Sequence, residues 1–151
     1  MTTNGHIYTV EFRIFSETLD PVLVTRELDL QPCQVRSHGS HRADGKSFIG
    51  MWAFDGTRNN QRPEWDSLEK GLLYVLERLW PKRKIIAKYA ANAELFWWCG
   101  HFQSSSDGGP RLSSALLERL GKFGAVLFID NYFSTSDETS PPSVPRFRPT
   151  T

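Results

Sequence analysis

The most regular hydrophobic pattern in the chain lies in residues 63–80. Apolar residues recur there at intervals of three and four, which places them on one side of a helix with 3.6 residues per turn. Pro63 suits the first helical position, and Pro81 disfavours helical geometry at the residue before it. Gly71 costs such a helix about 1 kcal/mol relative to alanine, so we expect a close backbone contact there. The pattern predicts an amphipathic helix that covers a sheet with the side chains of Trp65, Leu68, Leu72, Val75, Leu76 and Leu79.

Alternation of apolar and polar residues predicts the strands of that sheet. Residues 6–15 alternate regularly, which indicates a strand with one buried face. Residues 94–102 are apolar on both sides, which is typical of a central strand, and Trp97 and Trp98 must point to opposite faces of it. Further strands are predicted for residues 33–37, 47–55 and 125–133.

Capping residues predict two shorter helices. Asp20 suits the N-cap position and Pro21 the first helical position of a helix that ends near Leu28. Ser113 suits the N-cap of a later helix, which Gly124 ends in the left-handed conformation. Residues 82–92 fit either a further helical segment or a short strand, and we favour the helix.

The predicted order of elements is β, α, β, β, α, β, followed by α, β. The first six match a ferredoxin-like order, in which a mostly antiparallel sheet carries helices on one face, and the last two add a C-terminal αβ unit. We therefore expect a two-layer α+β domain over residues 1–133, whose second sheet face meets solvent or a partner. Residues 134–151 contain four prolines and few apolar residues, which predicts a disordered tail.

Length and charge limit the classes of function. A chain of 151 residues matches one domain, and a net charge of +1 provides no strong field toward nucleic acid or an anionic membrane. The first ten residues lack the features of a signal peptide, and no apolar run is long enough to span a membrane, so we expect a cytoplasmic protein. Cys33 and Cys99 are too few and too far apart to predict a disulfide framework, and both are expected to be reduced.

The sequence shows no complete catalytic pattern, which favours a protein that is not an enzyme. Gly45, Lys46 and Ser47 resemble the end of a phosphate-binding loop, but Ser40 stands where that loop needs glycine, and a strand follows instead of a helix. No turn presents a nucleophile, and no acidic pair is placed for acid and base chemistry. We predict no catalytic residues and no cofactor.

The loop between the second and third strands is the most distinctive polar segment. His38, His41 and Asp44 are spaced at three-residue intervals there, but a flexible loop does not hold a zinc geometry, so we predict no metal. Aromatic residues make up 13% of the chain, and they anchor interfaces as well as cores. Basic hairpin residues and one strand tryptophan are the candidates for partner binding: Arg36, His38, His41, Arg42, Lys46 and Trp97.

Strand, cap and buried-tryptophan positions in both halves of the chain form a recognisable set. In the first half they are Phe12, Ile14, Phe15, Leu19, Asp20, Pro21, Thr25, Leu28, Leu30, Pro32, Gly50 and Trp52. In the second half they are Leu112, Ser113, Leu120, Gly124, Ala125, Leu127, Ile129, Asp130 and Tyr132. Over residues 7–133 the chain resembles an uncharacterised bacterial family catalogued as a domain of unknown function. The resemblance implies a single small α+β domain with no established activity.

Three functional hypotheses are compatible with the sequence. The leading one is a non-catalytic cytoplasmic domain that binds another protein, of which a bacterial immunity-type inhibitor is one example. The second is a regulatory domain that senses a small ligand, and the third is nucleic-acid binding through the basic hairpin and Trp97. A homodimer is among the partners considered, a membrane is not, and nucleic acid is the least favoured.

Overall fold

The computed structural model describes residues 5–39, 43–46, 48–57 and 61–134. Within these ranges the fold is α+β, as predicted, with five strands in one mixed sheet and four α-helices. None of these helices is long and apolar enough to cross a bilayer. The elements are β1 (His6–Ser16), α1 (Pro21–Leu28), β2 (Gln34–Arg36), β3 (Gly50–Phe54), α2 (Leu68–Leu79), α3 (Arg83–Tyr89), β4 (Glu94–Gln103), α4 (Ser114–Phe123) and β5 (Val126–Phe133).

The sheet has the strand order β2-β3-β1-β4-β5. β1 lies at its centre, antiparallel to both β3 and β4, and β2 is antiparallel to β3. β5 adds to the edge of β4 in the parallel direction, so β4 is an internal strand between β1 and β5. The sheet is thus mostly antiparallel, as expected from the sequence, with a parallel C-terminal addition.

The described helices pack on one face of this sheet and form the main core with it. The apolar stripe of α2 lies against β1, and α1, α3 and α4 extend the helical layer on the same side. Full burial of a large apolar side chain contributes about 1.5–3 kcal/mol, so this layer dominates the stability of the domain. Its largest buried side chains are Phe12, Ile14, Leu28, Trp52, Leu68, Leu72, Leu76, Leu79, Ile86 and Trp97.

Helix α2 begins later than its hydrophobic pattern predicts. It starts at Leu68, with the Ser67 hydroxyl accepting a hydrogen bond from the backbone N–H of Lys70 at 3.3 Å, so the predicted start at Pro63 is wrong. The cause is a strand-like pairing: the backbone N–H and C=O of Trp65 each bond Tyr8 at 2.8 Å. Trp65 therefore lies beside the first half of β1, in the position that a longer β3 would occupy. Without this pairing, buried backbone groups of β1 would have no hydrogen-bond partner.

The other helical predictions are confirmed. The Asp20 carboxylate accepts hydrogen bonds from the first backbone N–H groups of α1, and the Ser113 hydroxyl caps α4 in the same way. Gly124 follows α4 with a φ of 77°, in the left-handed region. After α2, a 3-10 turn (Trp80–Lys82) leads into α3, so the segment beyond Pro81 is helical.

β1 is buried on both faces, whereas the alternation of its sequence predicts one buried face. Thr9, Glu11 and Arg13 point away from the helices, yet none of them is more than 8% exposed. The reason is the position of β1 in the middle of the sheet, where large side chains of the neighbouring strands lean over it. The Trp98 ring, for example, lies 4.5 Å from the Arg13 guanidinium carbon.

Candidate functional site

The sheet face opposite the helices is the main candidate for a functional surface. We call it the helix-free face, because no helix in the described part of the chain lies on it. Strand register places Glu11 beside Trp98, and Trp98 beside Phe128 on the edge strand β5. This face of β1, β4 and β5 includes Thr9, Glu11, Arg13, Phe15, Phe96, Trp98, Gly100, Phe102, Val126, Phe128, Asp130 and Tyr132.

Aromatic rings form two contacts across the β4–β5 half of this face. The ring centroids of Trp98 and Phe128 are 4.5 Å apart, and those of Phe102 and Tyr132 are 4.9 Å apart and stacked. Phe128 is 38% exposed even so, and Val126 on the same strand is 56% exposed. The edge of the sheet therefore presents a partly exposed apolar surface built on rigid strands.

Two arginines lie over these rings. The Arg13 guanidinium carbon is 4.5 Å from the centroid of Trp98, and that of Arg62 is 5.7 Å from the centroid of Phe102. Such cation–π contacts contribute about 0.5–1 kcal/mol at exposed sites and about 2 kcal/mol when water is excluded. Arg13 also donates from Nε and Nη2 to one oxygen of Glu11, both at 2.7 Å. The charges of Arg13 and Glu11 are therefore paired within the face, while the aromatic rings beside them remain partly accessible.

A glycine shapes the middle of the helix-free face. A Cβ atom on Gly100 would lie 2.5 Å from the Thr9 hydroxyl and 3.0 Å from the Phe102 ring, so only glycine allows this packing. Beside it, the Tyr132 hydroxyl donates to the Asp130 carboxylate. Burial and this hydrogen bond raise the pKa of Tyr132 above its ordinary value, so the hydroxyl stays protonated at neutral pH.

The hairpin residues predicted to bind a partner are only partly described. The Nε of Arg36 donates to the Ile49 carbonyl at 3.1 Å, and its guanidinium lies 4.8 Å from the Phe48 centroid, so this arginine takes part in holding the hairpin. His38 and Lys46 are exposed. His41 and Arg42 lie outside the described residues, so their role in partner binding stays a prediction.

Trp97 does not contribute to any surface, so its predicted role in partner binding is wrong. Its side chain is fully buried under the helices, with ring centroids 5.1 Å from Phe12 and 5.2 Å from Phe123. The alternation along β4 instead places Trp98 on the helix-free face. The sequence shows that the two tryptophans diverge, but not which of them meets the helical layer.

Two buried histidines form a hydrogen-bonded pair that the sequence does not reveal. Nδ1 of His6 is 2.8 Å from Nε2 of His101, and Nε2 of His6 bonds the Asp107 carbonyl at 2.6 Å. Nδ1 of His101 is 2.8 Å from the side chain of Asn131. Because a carbonyl only accepts, His6 must donate from Nε2. The pair ties residues 105–109 to the end of the sheet, and within the described residues no third acidic, cysteine or histidine side chain joins it as a metal ligand.

The family of the chain can be identified by its similarity to known proteins. No curated protein and no solved structure is significantly similar to the chain. Residues 6–134 match the family model described as a domain of unknown function (DUF4279). This range contains all nine strands and α-helices named above, including the helix-free face and the histidine pair. The chain belongs to the DUF4279 family.

Proposed function

We propose that this chain is a non-catalytic domain that binds another protein through its helix-free face. The observation that carries this proposal is the partly exposed pair of Trp98 and Phe128, supported by the ring-stacked arginines Arg13 and Arg62. Tryptophan, tyrosine and arginine are the residues most enriched among those that dominate binding energy at protein interfaces. Rigid strands also present them at little cost in conformational entropy.

The chemistry of the partner follows from the two ends of this face. At the β5 edge, an apolar group would fit between Val126 and Phe128, whose exposed surface gains from burial. At the other edge of the sheet, the β2–β3 hairpin exposes Lys46 together with Asp44 and His38, so it offers hydrogen-bonding groups of mixed charge. The partner we propose therefore has an apolar patch flanked by polar groups.

A bacterial immunity-type inhibitor, acting in the cytoplasm, is the more specific form of this proposal. Its support is an analogy: immunity proteins are often small domains that act by covering a surface of their target. The fold assignment is likewise an inference in its finer part. The order β2-β3-β1-β4 with antiparallel neighbours supports a ferredoxin-like unit to which α4 and β5 have been added.

Nucleic-acid binding has less support from the same surface. Aromatic sheet faces do stack bases in several RNA-binding folds. Here, however, Glu11 and Asp130 place carboxylates among the rings, and the chain has a net charge of only +1. Phosphate contacts dominate affinity for nucleic acid, so this charge balance favours a protein partner.

Affinity purification with a matched pair of variants tests the proposal. Phe128→Glu places a charge on the helix-free face, and Leu117→Glu places one on the outer side of α4, where the side chain is 49% exposed. We expect wild type and Leu117→Glu to recover the same protein from cells of the native host, identified by mass spectrometry, and Phe128→Glu to lose it. Circular dichroism confirms that both variants fold. Recovery of no specific protein by wild type, or equal recovery by Phe128→Glu, would contradict the proposal.

A further inference from the structure

A cleft between two helices lies apart from the helix-free face. It is bordered by α1, by the end of α3 and by the turn that follows β1, and its volume is about 350 Å³. Pockets that bind small molecules have volumes of about 300–1,000 Å³, so this cleft has room for a compact ligand. Its lining residues are Ser16, Thr18, Leu19, Asp20, Leu23, Glu27, Lys88, Tyr89, Asn92 and Ala93.

Polar groups enter the cleft from both helices. The hydroxyl of Tyr89 on α3 donates to Oε2 of Glu27 on α1 at 2.5 Å, which joins two helices that are distant in sequence. Burial and this carboxylate raise the pKa of Tyr89, so the hydroxyl remains a donor at neutral pH. The bond holds Oε2 of Glu27 in place, and in the described part of the chain only Tyr89 donates to this carboxylate.

The charges in the cleft favour a cation. Asp20 and Glu27 contribute two carboxylates and Lys88 one ammonium group, which leaves the lining with a net charge of −1. An anion would ordinarily be attracted to the first N–H groups of α1. The Asp20 carboxylate already accepts from the backbone N–H groups of Val22 and Leu23, at 3.0 and 3.4 Å. An anionic ligand would therefore meet a carboxylate in place of free donors.

The walls of the cleft are apolar. Leu19 is buried, while Leu23 is 42% exposed even though it is a large aliphatic residue that borders a cavity. The Tyr89 ring and Ala93 complete this lining. A ligand that covers Leu23 would remove apolar surface from water, at about 25 cal/mol per Å².

We propose that the α1–α3 cleft binds a small organic cation, a primary amine or guanidinium that carries an apolar or aromatic group. The cationic head bonds the Glu27 carboxylate, and the apolar group packs on Leu23 and the ring of Tyr89. This site is independent of the proposed protein-binding surface, because none of its lining residues belongs to the helix-free face.

Titration of the full chain with 2-phenylethylamine, followed by NMR of the backbone amides, tests the site. We expect saturable shifts that centre on α1 and α3, and no comparable shifts with 3-phenylpropanoate, an anion of similar size. Glu27→Gln should weaken binding of the amine about tenfold or more, because it removes a charged partner. Glu17→Gln is the matched control, since Glu17 is exposed nearby but does not line the cleft, and it should bind as wild type does.

A second variant keeps the test decisive if Glu27→Gln unfolds. Leu23→Trp fills the cleft from an exposed position, so it should fold and abolish the amine shifts. The proposal would be overturned if the anion bound as well as the amine, or if wild type gave no saturable shift. Unchanged amine affinity in Glu27→Gln or in Leu23→Trp would overturn it as well. Such a result would not affect the purification experiment on Phe128, so the two proposals fail separately.

Discussion

Substitution of Gly71 tests the packing between α2 and the sheet. A Cβ atom on this residue would lie 2.8 Å from Cδ1 of Trp65 and 2.9 Å from Cγ2 of Val10, closer than carbon atoms pack in proteins. The close contact that the sequence predicts at Gly71 is therefore made with the side chains of Trp65 and Val10. Trp65 cannot easily move away, because its backbone bonds Tyr8 in both directions at 2.8 Å.

In the Gly71→Ala variant, two effects on stability oppose each other: the higher helix propensity of alanine and the steric cost of this contact. Alanine favours the helix by about 1 kcal/mol relative to glycine. Overpacking of a tight core costs about 1–3 kcal/mol. The expected net result is a free energy of unfolding that falls by up to about 2 kcal/mol, although alanine is the better helix former.

Gly121→Ala is the matched control on α4. No atom lies within 4 Å of the Cβ that the substitution adds, and the position is exposed, so propensity acts unopposed. This variant should gain up to about 1 kcal/mol of stability. The two glycine-to-alanine variants should therefore differ by about 1–3 kcal/mol, with Gly71→Ala the less stable.

Urea unfolding, followed by tryptophan fluorescence and far-UV circular dichroism, measures this difference. With a denaturant dependence of about 1–3 kcal/mol per molar urea, a change of 1 kcal/mol shifts the midpoint by roughly 0.3–1 M. Equal midpoints for the two variants, or a higher midpoint for Gly71→Ala, would show that Trp65 does not pack on α2 as described. The segment that brings Arg62 to the helix-free face would then lack its anchor.

Two further predictions concern titratable groups. Burial raises the pKa of Cys99 to about 12 and also raises that of Cys33, so both thiols should react slowly with a thiol reagent at pH 8 and rapidly in urea; fast reaction of the native protein would contradict this. The Glu69 carboxylate accepts from the backbone N–H of Ser113, at the start of α4, at 2.5 Å, which lowers its pKa. A carboxyl group whose pKa is lower in the folded state stabilises the fold above its unfolded pKa, and this contribution is lost as the pH falls through the folded pKa. Glu69→Gln should therefore be less stable than wild type at pH 7 and approach it at pH 3 in urea unfolding, and an equal difference at both values would refute the link.

Local features of the fold were predictable from the sequence because their causes lie within a few residues. The Asp20 and Ser113 caps each bond backbone N–H groups two or three positions further on. The left-handed end of α4 needs only a glycine, Gly124. The stripe of α2 and the alternation of the strands follow from the periods of helix and strand. These features also determined the α+β class and the presence of a second sheet face that no predicted helix covers.

Where a long-range contact opposes a local preference, the tertiary structure determined the outcome. Pro63 and the apolar spacing favour an earlier helix, but pairing with Tyr8 holds Trp65 in an extended conformation. Adjacent tryptophans on one strand must diverge, yet only the position of the helical layer determines that Trp97 is buried and Trp98 lies on the helix-free face.

The candidate sites depend on the same kind of long-range contact. The histidine pair joins residues that are 95 positions apart in sequence, and the cleft between α1 and α3 joins residues that are 62 positions apart. The period of a strand or helix indicates which residues share a face. This period does not specify which distant surface covers that face. The covering surface is determined by the packing of whole helices and strands, which buries apolar area and pairs backbone groups.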